Sequence, residues 1–166
     1  PVFQSTFEAS THAKTGPVAF KVQASHLVFH NLEFQHVGTA FQLPTSVDDV
    51  TLSTFKAVNV ANGVEIVRYG TQAVTNLRVT KGMILQLTRA GIMVAASADG
   101  VRIEDCYIDM QPDQIGGQGS DYPVGIPLYD NATNVTITRT TVLNITGMQT
   151  GYTQGDGIDG EQTASN

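Results

Sequence analysis

The amino-acid sequence predicts an all-β chain wound as a right-handed parallel β-helix, and three observations carry that expectation. An eight-residue block recurs five times, as LVFHNLEF (27–34), VTLSTFKA (50–57), LRVTKGMI (77–84), VRIEDCYI (101–108) and VTITRTTV (135–142). A second family of short strands, each introduced by a small residue, keeps step with it: TAFQL (39–43), GVEIV (63–67), GIMVA (91–95), GIPLY (125–129) and GIDGE (157–161). Composition agrees, because 41% of the 166 residues are hydrophobic and only 14% charged, against about 25% in ordinary globular chains. Polar surface must then come from Thr, Ser, Asn, Gln and Gly in many short strands and turns.

The first, third and eighth block positions are apolar in every copy, and the residues between the first and third, and after the third, are polar but for Val28. That is the period-2 alternation of a strand with one buried face, and an α-helix would need a period of 3.6. Aligning the second family superimposes Phe41, Val64, Ile92, Ile126 and Ile158, with Phe20 one coil earlier. Each coil therefore holds at least two strands and a polar turn. One coil cannot bury its apolar face, whereas stacked coils share a continuous core and tolerate insertions at their turns. The handedness follows from the crossover rule for parallel strands.

Residues 1–16 carry neither an initiator Met nor the basic and apolar regions of a signal peptide, so the natural gene is expected to begin further upstream. Val2, Phe3 and Phe7 read as the last strand of a preceding coil. Residues 17–60 form two compact coils, and residues 61–108 two more, which carry most of the cations. Arg78 and Arg102 share block position two and should stack on one outer face. Arg68 and Arg89 flank the outer surface of the first-strand family instead. Cys106 is the single cysteine, so no intrachain disulfide can form, and it reads as a small core side chain.

From residue 109 the turns lengthen. Residues 109–122 and 146–155 are Gly- and Gln-rich insertions, each placed before the first strand of the next coil. Loops enlarged at one place on a rigid scaffold tend to carry function. They should rise beside the first-strand sheet as one wall of a groove. The outward positions of that sheet fall into stacked columns: Lys21, Gln42, Glu65, Met93, Pro127, Asp159; then Thr39, Asn62, Ala90, Val124, Asp156; then Pro44, Val67, Ala95, Tyr129, Glu161.

The last coil thus puts three carboxylates, Asp156, Asp159 and Glu161, on one face, with Asp121 and Asp130 at the rim. Three explanations stand open. Close like charges raise at least one pKa, which suits a general acid beside an ionised partner. The same oxygens could hold Ca²⁺, which takes six to eight oxygen ligands. A solvated, Gly-rich turn is the third. Asn62, Glu65, Arg68, Arg89 and Asp130 are the expected substrate-binding groups, and Tyr129 a further catalytic candidate.

In these features residues 17–166 resemble the pectin-lyase-like β-helix superfamily, which includes polygalacturonases, polysaccharide lyases, mannuronan epimerases and phage tailspikes. The resemblance implies a groove on the first sheet that accommodates polysaccharide, and a secreted or cell-surface protein of bacterial type. The tract Gly155-Asp156-Gly157-Ile158-Asp159 is similar to the Asn-Thr-Asp-Gly-Ile-Asp motif of polygalacturonases, which implies a catalytic carboxylate at Asp156. Gln154 and Gly155 stand where that motif has Asn-Thr, and its further motifs are absent. Residues 156–163, DGIDGEQT, are also similar to the Tyr-Gly-Phe-Asp-Pro-His-Glu-Gln-Thr segment of mannuronan epimerases, without that segment's Tyr and His. Processing of an acidic polysaccharide by hydrolysis, β-elimination or epimerisation is the expected function. A carbohydrate-binding or structural module of the tailspike or adhesin kind is the alternative.

A net charge of -6 with no Lys/Arg cluster argues against nucleic acid. No apolar run approaches the roughly 18 residues of a membrane span. Counting nine residues from Ile158, as from Phe41 to Val50, Ile92 to Val101 and Ile126 to Val135, reaches a position one past Asn166. The whole of residues 1–166 therefore reads as one domain cut in mid-coil, five to six coils long, which a second chain or a continuation would complete.

Overall fold

The computed structural model describes residues 1–5, 16–67, 73–95, 97–111, 123–129, 132–146 and 155–161. Among them there is no helix, and parallel strands stack as a β-helix. The chain opens with β1 (Val2–Gln4) and β2 (Val18–Lys21), then β3 (Leu27–Leu43), β4 (Val47–Asp48), β5 (Val50–Ile66), β6 (Ala73–Thr75), β7 (Arg78–Met93) and β8 (Ser97–Asp99). It continues through β9 (Arg102–Glu104), β10 (Tyr107–Asp109), β11 (Val124–Tyr129), β12 (Thr136–Thr138), β13 (Thr141–Leu143) and β14 (Asp156–Glu161).

The register is the one that the repeats predict. Phe29 pairs with Leu52, Leu52 with Val79, Val79 with Ile103 and Ile103 with Ile137, one block position throughout. Phe3 pairs with Phe34, so Val2–Gln4 is indeed a strand of the preceding coil. Phe20, Phe41, Val64 and Ile92 follow one another in the second family, and Ile126 pairs with Ile158. In β3, β5 and β7 the block and the first strand that follows it are one continuous, bent strand of 16 or 17 residues rather than two strands. Past residue 101 that unit splits, and β9 and β10 or β12 and β13 are separate three-residue pieces.

The bends have a residue-level cause that composition hides. Positive φ recurs at the same coil positions: at His26, Asp49, Asn76, Gly100 and Asn134; at Asn31, Thr54, Lys81, Asp105 and Arg139; and at His36, Asn59, Gln86 and Asn144. A left-handed residue turns the strand through a corner without breaking its ladder. Each non-glycine costs roughly 1–2 kcal/mol, and least where the side chain is Asn or Asp. A third, short side of the coil lies between corners and pairs β4, β6 and β8.

Inside, one row of side chains per column fills the cylinder. Its early coils are aromatic, with Phe3, Phe20, Phe29, Phe34, Phe41 and Phe55 in edge and stacked contacts, such as Phe34 to Phe41 at 4.9 Å and Phe41 to Phe55 at 5.3 Å. Later coils are aliphatic, with Leu52, Val79, Ile84, Ile103 and Ile108 fully buried. Burying each such side chain contributes about 1.5–3 kcal/mol. Cys106 is one of these core residues, its thiol facing the Val79 and Glu104 carbonyls, and burial pushes that thiol up from its ordinary value. The small residue that introduces each first strand points inward. A Cβ on Gly63 would stand 2.5 Å from the Ile84 side chain, and one on Gly91 2.7 Å from Ile108.

Candidate functional site

The first-strand sheet carries the outward columns in the expected register. Thr39 pairs with Asn62, Asn62 with Ala90, Ala90 with Val124 and Val124 with Asp156. Gln42 pairs with Glu65 and Glu65 with Met93, while Pro127 pairs with Asp159 and Tyr129 with Glu161. A strip of chemically varied side chains therefore runs across the rungs, which parallel pairing spaces about 4.8 Å apart.

Its early rungs form a polar network. The Glu65 carboxylate accepts hydrogen bonds from Gln42 Nε2 at 3.0 Å and from the Thr39 hydroxyl at 3.5 Å, and Asn62 Nδ2 donates to Thr39 Oγ1 at 3.3 Å. Asn62, expected on an open groove floor, is only 2% exposed, and its Oδ1 has no hydrogen-bond partner among the described residues. Burial of an unpaired amide oxygen costs about 1–3 kcal/mol. Glu65 is half-buried.

The middle rungs depart from the expected open groove. Ala90, Met93 (3% exposed) and Ala95 are buried and form a small apolar cluster separate from the cylinder's core, with half-buried Tyr129 packed against it. Alternation puts these residues on the outer side of the sheet, but that side is packed here rather than wet. The Tyr129 amide donates to the Val94 carbonyl at 2.8 Å, which ties the ring's backbone to this cluster. Arg89 is half-buried one residue before Ala90.

The last rung is open. Asp156 is exposed and Asp159 half-buried, three residues apart on β14, or about 10 Å of extended chain. The side chain of Glu161, and all of Arg68, Asp121 and Asp130, lie outside the described residues. Among the described residues no three His, Cys, Asp or Glu side chains converge on a metal-sized site, and the third oxygen donor of the Ca²⁺ reading, the Glu161 side chain, lies outside them. The acid pair can act on a proton or a cationic group presented from solvent.

Two polar constellations lie away from this strip, with little in the repeat pattern to mark them. Asp109, 6% exposed, accepts from the Tyr107 hydroxyl at 3.1 Å, Asn144 Nδ2 at 2.9 Å and the Gln111 amide at 3.2 Å. That bond holds the Tyr107 hydroxyl above its ordinary pKa. On the short third side, Asp48 accepts from Thr75 (2.6 Å) and Asn76 (2.9 Å), and Asp99 from Thr133 and Asn134 (both 2.7 Å). A Thr-Asn dipeptide one coil after an Asp is the signal that could have found this ladder. No family model, no curated protein and no solved structure matches this chain.

Proposed function

We propose that this chain is a polysaccharide-processing β-helix protein that lays an acidic polymer along the first-strand face and works on it at the Asp156 and Asp159 rung. The observation behind this reading is the register, which aligns Glu65, Tyr129, Asp156 and Asp159 on one strip of the sheet. The rung spacing is close to the length of one sugar residue in an extended polymer, so successive rungs can meet successive sugars. In a hydrolase, Asp156 protonates the leaving oxygen and a second carboxylate activates water; carboxyls roughly 6.5–9.5 Å apart give inversion. In a lyase or epimerase, Arg89 neutralises the uronate carboxylate and Tyr129 moves the C5 proton. Such a protein would act outside the cell.

A second reading has its own support. The buried cluster of Ala90, Met93 and Ala95 interrupts the strip between its polar early rungs and its acidic last one, which suits a non-catalytic binding or structural module. One assay separates the two. Uronate polymers are incubated with the protein, and reducing ends and unsaturated sugars are measured beside binding. Processing requires product from the native chain and a loss of about 10²-fold or more in Asp156→Asn or Asp159→Asn, with binding retained. Binding without product selects the structural module, and neither binding nor product sinks both.

A further inference from the structure

We propose that Arg78 and Arg102 form an oxyanion site on the outer face of the block strands, built to take a carboxylate or sulfate group. The two residues are direct partners in the parallel ladder between β7 and β9, so their Cα atoms stand about 4.8 Å apart. Like charges on adjacent rungs repel and destabilise a sheet unless something lies between them. Glu104 answers only one of the two, at 3.6 Å from Arg78 Nε. Arg102 is exposed, and no described residue bonds or pairs with its guanidinium.

The surroundings make a receptacle of the pair. Arg78 and Arg102 line one cleft with Thr51, Asn76 and Gly100, and Thr51 brings a hydroxyl on the rung before Arg78. Gly100 occupies the corner column where the neighbouring coils carry Asn76 and Asn134. Having no side chain, it leaves the cleft open beside Arg102. Asp49 also reaches the wall, but His26 Nδ1 lies 3.2 Å from its carboxylate. Two planar guanidinium forks facing one opening match the paired oxygens of a carboxylate or sulfate.

The test is a titration of the native chain with sodium sulfate at constant ionic strength, followed by NMR of the arginine Nε–Hε groups. The Arg78 and Arg102 signals should shift together and saturate. Arg139, already clasped by Asp105 at 2.6 and 3.0 Å, should not move. Arg102→Gln should weaken the saturation read at Arg78 roughly ten-fold, the loss of one charge-assisted contact. Because position 102 is exposed, that variant should keep or raise the unfolding midpoint without sulfate. Linear shifts, equal movement of every arginine, or an Arg102→Gln titration like the native one would overturn the site. A uronate trisaccharide run in parallel identifies the source: tighter binding than sulfate assigns the anion to a polymer, and equal binding assigns it to a free ion. The site does not rest on the processing reading, since failure of product formation leaves it standing.

Discussion

The two long sides of each coil use the same ladder in opposite ways. On the first-strand side the small residue that opens each first strand faces inward, and the outer columns are packed over the middle rungs, where Met93 and its alanine neighbours form a second apolar layer. On the block side the outer columns are wet, with Val28 73% exposed and Arg102 in solvent. In the middle coils the inward positions of both sides are buried, as Leu52, Val64, Val79 and Ile92 are, so the difference there lies in what each outer face meets. A face that is packed on one side and open on the other marks the packed side as the one that has to hold a shape. It also leaves the block side free to carry charge.

The contrast can be broken most forcefully at the inward-facing glycine that opens a first strand. Gly91→Val would drive methyl groups into the Gly125 carbonyl and the Ile108 side chain, 2.5 and 2.7 Å from a Cβ. Overpacking against backbone should cost about 3 kcal/mol or more, read as a fall in the urea midpoint. A near-neutral result would mean that the first strand is free to move outward, and its packing would be no constraint. A milder probe acts on the outer layer itself. Met93→Ala should cost about 2 kcal/mol, whereas Val28→Ala on the block side should stay within about 0.5 kcal/mol. Equal effects at the two positions would erase the distinction between the sides.

The register was legible from residues alone because the columns of a β-helix repeat the same side-chain type at each rung, as Phe29, Leu52, Val79, Ile103 and Ile137 do. The place of β14 was legible for the same reason, since Ile158 continues the column of Ile126. Two things were not. The left-handed corner at block position five is filled by Asn31, Thr54, Lys81, Asp105 and Arg139, which share polarity and nothing else, so no single residue type signals the bend. Alternation also tells which side of a sheet a residue points to, and not whether something lies on that side. Hence alternation alone puts Asn62 and Met93 on an open groove floor, whereas both are buried.

The smallest effect concerns the third side, where the comparison is sharpened by charge. Hydrogen bonds from Thr75 and Asn76 hold the Asp48 carboxyl below its ordinary value of 3.8, and those from Thr133 and Asn134 do the same for Asp99. Asp105 is lowered by its contact with Arg139. A depressed folded-state pKa contributes stability that is complete above the unfolded value and is lost as pH falls through the folded one. Acid should therefore erode the rung-to-rung bonds of these sites only below about pH 4, with native packing intact above it. Carboxyl NMR titration should find all three midpoints under 3.8, and Thr75→Val should move Asp48 upward while leaving Asp99, two coils on, where it was. If Asp48 and Asp99 moved together in that variant, the ladder would be one coupled unit along the solenoid, and the third side would be bearing load between coils as the interior does.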